Sequence, residues 1–180
     1  DSTGRVKFNN QLQNIGSEKT SGIDLNLTYS FEAAGLNWKA GLDTTYLDEY
    51  VVTVLDDTTD YAGLITSGSG GYADIKSNFT LSARGESWDA TYKARYIAGM
   101  DSYLCKSDPS SCLAPTTPSV VYHDISGSYL LSDTVTLSAG VNNLFDKEPP
   151  YYTGNNDSNT DPYTYDVLGR RFHAGVNVKF

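Results

Sequence analysis

Strict alternation of apolar and polar residues, sustained over about ten residues at a time and repeated along the chain, limits the fold more than any other feature. In Gly22–Phe31, Ile23, Leu25, Leu27, Tyr29 and Phe31 share one parity, and Asp24, Asn26, Thr28 and Ser30 the other. Successive side chains of a strand point to opposite faces, so this segment is a strand with one apolar and one polar face. The pattern returns in Leu36, Trp38, Ala40, Leu42 and Tyr46 against Asn37, Lys39, Asp43 and Thr45, and in Phe79, Leu81 and Ala83 against Asn78, Thr80, Ser82 and Arg84. Trp88, Ala90, Tyr92, Ala94 and Tyr96 oppose Asp89, Thr91, Lys93 and Arg95; Val121, Ile125 and Tyr129 oppose Asp124, Ser126 and Ser128. Two further strands end the chain. Val135, Leu137, Ala139 and Val141 oppose Thr136, Ser138 and Asn142, and Phe172, Ala174, Val176, Val178 and Phe180 oppose Arg171, His173, Asn177 and Lys179.

A soluble β-sandwich alternates in the same way, so the connections have to discriminate. Short links near Glu32–Gly35, Arg84–Ser87 and Leu131–Asp133 take turns with long ones, Thr53–Tyr72, Asp101–Ser119 and Asp146–Val167. An up-and-down transmembrane barrel sorts its connections in this manner, with short turns on the periplasmic side and long loops outside, whereas a sandwich has no reason to. Aromatic placement is an independent test, because Trp and Tyr settle at the boundary between lipid and water. Trp38 and Trp88 each follow a short turn on the apolar parity, level with Tyr29, Phe31 and Tyr129, and so form an inner girdle. Tyr46, Tyr50, Tyr72, Tyr96 and Tyr103 are placed to form the outer one. Charges keep to the other parity: Asp24, Lys39, Asp43, Lys93, Arg95 and Arg171 are expected to face a wet lumen. His123 is the exception, and its outward parity near a strand end assigns it to the rim.

Net charge −9 and a pI near 4.5 would, taken alone, describe a soluble acidic protein. A membrane strand needs only every second residue apolar, however, and average hydropathy does not register such a span. No apolar run is long enough for a membrane helix, and basic residues are too few and scattered for a nucleic-acid-binding face. The chain has no linker-like tract and reads as one unit, residues 1–180, and its polar start, Asp1–Arg5, carries no export signal, so export would be encoded upstream. Cys105 and Cys112 lie in a loop rich in Ser and Pro, and a disulfide between them fits an oxidising compartment. No His or further Cys stands near them to complete a metal site, and no cofactor is expected apart from calcium in the outer loops.

Gly140-Val141-Asn142-Asn143-Leu144-Phe145-Asp146-Lys147, followed by Tyr165-Asp166-Val167-Leu168-Gly169-Arg170-Arg171-Phe172 and a strand ending on Phe180, resembles the C-terminus of TonB-dependent outer-membrane receptors. Upstream, Asn14-Ile15-Gly16 with Lys19 and Gly22-Ile23-Asp24-Leu25 is similar to a long descending strand of that family. The resemblance implies a 22-stranded barrel closed by an N-terminal plug, importing scarce ligands with energy delivered by TonB. This chain would supply about seven strands of that all-β antiparallel barrel, without the plug and the earlier strands. Its implied partners are outer-membrane lipid, the barrel-assembly machinery, the TonB complex through the missing N-terminal part, and an imported small molecule. Phe180 resembles the terminal aromatic read as an assembly signal.

The loops hold the ligand candidates. Asp56, Asp57 and Asp60 lie beside Tyr61, and Tyr151 and Tyr152 precede Asn155, Asn156, Asp157, Asn159 and Asp161. Oxygen donors next to aromatic faces suit a neutral sugar, or calcium, better than an anionic siderophore. His123 and His173 sit on opposite parities of separate strands, and no catalytic constellation is expected. Two other readings keep the same strands: a small complete barrel of structural or adhesive role, if residues near Arg5–Phe8 form one more strand, and a soluble β-sandwich binding module.

Overall fold

The computed structural model describes residues 16–66, 68–106, 108, 110, 112–154 and 159–180. The segments around Arg5–Phe8 and Asn14–Ile15 lie outside them. The strands are β1 (Gly16–Ala33), β2 (Leu36–Val54), β3 (Asp57–Asp60), β4 (Leu64–Thr66), β5 (Gly70–Gly71), β6 (Ile75–Arg84), β7 (Trp88–Ile97), β8 (Met100–Ser102), β9 (Thr116–Thr117), β10 (Val120–Ser132), β11 (Val135–Asn142) and β12 (Arg171–Val178). The seven long ones form a single antiparallel up-and-down sheet in the order β1-β2-β6-β7-β10-β11-β12, with β3 paired to the far end of β2. The sheet is open, with β1 and β12 as its edges.

Register aligns the polar parity of every strand on one face. Asp24 pairs with Thr45, Asp43 with both Asn26 and Asn78, Lys39 with Ser30 and Ser82. Lys93 pairs with Thr80 and Asp124, Arg95 with Asn78 and Tyr122, and Arg171 with Asn142. Polar cross-strand contacts tie this face together: Thr45 Oγ1 donates to Asp24 at 2.6 Å, Asn26 Nδ2 donates to Asp43, and Ser128 Oγ to Asp89.

The opposite face is apolar and bare. Ile23 is 67 % exposed, Leu27 53 %, Phe172 76 % and Val176 67 %. A sandwich would bury this face against a second sheet; among the described residues no second layer covers it, and an apolar surface this continuous demands a non-aqueous neighbour. Aromatic rings collect at its short-turn end. Phe31 pairs with Trp38 across β1 and β2 with stacked rings 6.1 Å apart, Tyr29 stacks on Phe31 at 5.6 Å, and Tyr129 pairs with Trp88. The turn beside them is tight because Ala34 and Gly35 both take positive φ, the two-residue reversal whose twist matches that of the flanking strands.

β1 and β2 overshoot a membrane. Eighteen residues in β1 span about 60 Å along the strand, and a tilt of about 40° leaves about 45 Å of height against an apolar band of about 25 Å. The excess lies at the long-loop end, where Lys19 and Glu49 form an ion pair at 2.6 Å on the face that is apolar nearer the short turns. Just below that pair β2 is bulged: Ser21 pairs with Glu49 but Gly22 with Leu47, so Asp48 is the extra residue. Gly22 is needed there, since a Cβ would collide with the carbonyl oxygen of Tyr46. The bulge reverses the parity of β2 above it.

Most buried side chains lie in the long connections and at the strand ends that meet them, Ile97 on β7 and Val120 and Tyr122 on β10. β5, β4, β8 and β9 form a second small sheet in that order, with β4 and β8 parallel, Leu64 beside Asp101. Ile65, Ala73, Ile97, Met100, Val120, Tyr122, Tyr152 and Tyr165 pack into one core at this end. A 3-10 turn, Tyr103–Cys105, leads from β8 into the disulfide of Cys105 with Cys112, whose Cα atoms are 5.9 Å apart.

Candidate functional site

The three long connections close into one cap. From the third, Tyr152 Oη donates to the carbonyl of Ile65 in the first at 3.2 Å, and Thr164 Oγ1 accepts from the amide of Gly71 at 2.6 Å. Tyr165 Oη donates to Thr117 Oγ1 in the second at 3.0 Å, and the amide of Asp166 donates to Tyr122 Oη at 3.2 Å. Tyr122 lies on the polar face of β10 and is fully buried, with the Arg95 guanidinium 5.2 Å from its ring centroid. The cap therefore seats on the polar side of the sheet. Arg171 fastens its far end, donating to both carboxylate oxygens of Asp166 at 2.8 and 3.0 Å. That fork holds the Asp166 carboxyl below the usual carboxylate range.

The Asn143–Asp146 run is a bracket at the root of the third connection. Asn143, at φ 52° and buried, donates from Nδ2 to the carbonyl of Lys147 at 2.9 Å and accepts from the Lys147 amide at 2.8 Å. Its own amide donates to Asp124 on β10 at 2.8 Å. Asp146, also at positive φ, accepts from the Arg170 amide at 2.9 Å and pairs with the Arg170 guanidinium at 3.5 Å. The exit of β11 and the approach to β12 are thereby pinned together, so this motif does structural work at the loop's base.

Beside the cap lies a pocket of about 380 Å³ whose walls include Glu18, Tyr50, Tyr61, Thr66, Tyr72 and Tyr103. Four tyrosines from separate segments meet there. Tyr50 stacks on Tyr72 with centroids 4.7 Å apart, Tyr61 lies 5.8 Å from Tyr72, and Tyr103 5.4 Å from Tyr61. Tyr50 Oη donates to Glu18 at 3.4 Å. The bulge explains this: Tyr50 pairs with Thr20, which shares the parity of Asp24, so the ring turns to the polar face. Desolvation and the neighbouring Tyr103 push the Tyr61 phenol up, so it stays neutral and able to donate.

The expected outer aromatic belt is thus corrected. Tyr46 and Tyr96 stand on the apolar face, opposite Ile23 and Val121, whereas Tyr50, Tyr72 and Tyr103 belong to the pocket with Tyr61. Of the loop candidates, Asp60 is spent on the backbone, accepting from the amides of Tyr50 at 3.0 Å and Ala62 at 3.1 Å, which holds its carboxyl below the usual range. Asp56 and Asp57 sit at the exposed β2–β3 turn, and Tyr151 is exposed in the third connection. Tyr152 and Asp161 are buried in the cap and have no surface to offer a ligand. Asp161 accepts from Thr164 Oγ1 at 2.5 Å and from the Tyr163 amide at 3.2 Å, so its carboxylate closes a turn. The Asp161-Pro162-Tyr163-Thr164 spacing carried that turn signal. Asn155, Asn156 and Asp157 lie outside the described residues. Among the described residues, no group of three His, Cys, Asp or Glu side chains is placed to hold a metal ion. His123 lies on the apolar face as its parity required; its Nδ1 is 2.6 Å from Tyr92 Oη and its ring meets Phe145 edge-on at 5.0 Å. Asp24, Lys39, Asp43, Lys93, Arg95 and Arg171 share the polar face.

An antiparallel meander with one bare apolar face, an inner aromatic girdle and a folded cap over the polar side is the wall of a transmembrane β-barrel. Residues 1–144 match the family model described as TonB dependent receptor-like, beta-barrel. The chain belongs to that family, and membership places it in a receptor barrel of the outer membrane. The match ends at Leu144, and β12 joins the same wall through its continuous pairing with β11. No curated protein and no solved structure matches the chain significantly.

Proposed function

We propose that this chain forms lumen wall and outer loops of a receptor that takes a scarce small molecule from the cell exterior and imports it with energy delivered by TonB. The observation that carries the reading is the pocket: loops that merely connected strands would not converge four aromatic rings and a carboxylate on the side of the sheet facing away from lipid. In this reading the polar face lines the lumen, β1 and β12 pair with strands outside this sequence, and TonB engages a segment N-terminal to it. Unpaired edges in hydrocarbon would otherwise cost several kcal/mol per backbone group. Phe180, past the end of β12, is fully exposed. The chain itself carries no catalytic step.

The test is genetic. Deleting the gene for the full-length receptor should abolish growth on one limiting nutrient, and loss of TonB should have the same effect. Growth unchanged across limiting carbon, iron and cobalamin sources would refute import and favour a barrel of structural or adhesive role.

A further inference from the structure

We propose that the tyrosine pocket is a subsite for the sugar rings of a neutral oligosaccharide, an assignment that rests on the import reading and names its substrate class. The volume, about 380 Å³, sits at the small end of the roughly 300–1,000 Å³ common for small-molecule sites, room for a short glycan segment. The described lining contains no Lys or Arg. Lys19 is committed to Glu49 at 2.6 Å on the opposite face, and Lys106 acts on Asp60. A phosphorylated ligand or a ferric siderophore bearing carboxylates would meet Glu18 with no compensating cation among the described lining residues.

The ring arrangement separates the remaining classes. A cage for a quaternary ammonium surrounds an empty centre with ring faces, each within about 6 Å of the cation. Here the centroids of Tyr50, Tyr61, Tyr72 and Tyr103 stand only 4.7 to 6.3 Å from their neighbours, so the rings pack against one another in one cluster and do not surround an empty centre. The ring faces that such a cluster leaves open to the pocket take the C–H face of a pyranose, whose slightly positive hydrogens meet the negative ring faces. Sugar hydroxyls need both donors and acceptors. Phenol hydroxyls supply both, the Glu18 carboxylate accepts, and Thr66 and Ser69 add hydroxyls to the lining. Mechanistically, stacking selects the ring and the hydroxyls select its stereochemistry.

The experiment is isothermal titration of the full-length receptor, purified in detergent, with maltotetraose, cellotetraose, mannotetraose and xylotetraose, and with ferric enterobactin, ferric citrate and tetramethylammonium as the other classes. One neutral oligosaccharide should bind; Tyr103→Ala should weaken it at least tenfold and Tyr61→Phe several-fold. Tyr163→Ala, exposed in the third connection and away from the pocket lining, should leave it unchanged. Heat with a siderophore or the ammonium alone, or with none of the probes, overturns the assignment, as does sugar binding indifferent to Tyr103 and Tyr61. TonB-dependent growth on some other nutrient would then still stand, so the two readings fail separately. Heat-modifiable migration of each variant on electrophoresis shows that loss of binding is not loss of folding.

Discussion

Ile125 and Ser126 are neighbours on β10, yet one faces the bare side of the sheet and the other the polar side. Ile125 is four residues above Tyr129, which pairs with Trp88 in the inner girdle, so at about 3.3 Å per residue and a tilt of about 40° it stands about 10 Å higher. That is close to the middle of an apolar band about 25 Å tall. An arginine there costs about 2 to 4 kcal/mol, whereas Ser126→Arg projects into the wet interior and should cost close to nothing. At about 1.4 kcal/mol per decade the first figure is a roughly 30- to 800-fold loss in the folding equilibrium. The assay is urea titration of the full-length receptor in lipid vesicles, scored by the heat-modifiable folded fraction. Ile125→Arg should move the midpoint well below wild type while Ser126→Arg stays beside it. Equal shifts, or a larger one for Ser126→Arg, would refute the assignment of faces.

The cap makes two further predictions. Tyr152 is wholly buried and reaches the Ile65 carbonyl at 3.2 Å, so Tyr152→Ala should cost about 3 to 5 kcal/mol of local stability and Tyr152→Phe about 1. Hydrogen exchange of the Gly71 amide, bonded to Thr164, should accelerate strongly in the first and slightly in the second; unchanged exchange in Tyr152→Ala would mean the cap does not depend on that ring. Asp166 has a folded pKa held below its unfolded one by the Arg171 fork, so its stabilisation is complete above the unfolded value, about 3.9, and is lost as pH falls through the lower folded value. Protease cleavage of the third connection should therefore rise only below about pH 4 in wild type, and Asp166→Asn should be cleaved faster already at pH 7. Identical profiles for the two proteins would remove the fork from the account.

What was legible in the sequence was what depends on near neighbours. Alternation from Ile23 to Phe31 or from Trp88 to Tyr96 is a local signal, and the register confirms that each set shares one face. The short turns fell where expected for the same reason. The second sheet was illegible because β4, β5, β8 and β9 are two or three residues each, too short to show a period, and Leu64 finds its parallel partner Asp101 in a different connection. Alternation alone misplaces Tyr50 because one extra residue, Asp48, reverses parity, and Gly22 on the neighbouring strand is the hint of it in the sequence. Asp161 and Tyr152 read as ligand candidates because composition cannot separate a carboxylate that closes a buried turn from one that faces water. The pocket is half legible: composition singles out Tyr61, while position sends Tyr50, Tyr72 and Tyr103 to the outer belt at the lipid–water boundary.

The claim on which the rest depends is that the long connections face the outside of the cell and the short turns the periplasm. Single cysteines placed at Tyr151 and at Gly35 in the full-length receptor, with Cys105 and Cys112 left disulfide-bonded, separate the two ends of the sheet. A membrane-impermeant maleimide added to intact cells should label Tyr151→Cys and spare Gly35→Cys until the outer membrane is broken. Labelling of Gly35→Cys in intact cells, with Tyr151→Cys protected, would contradict the account.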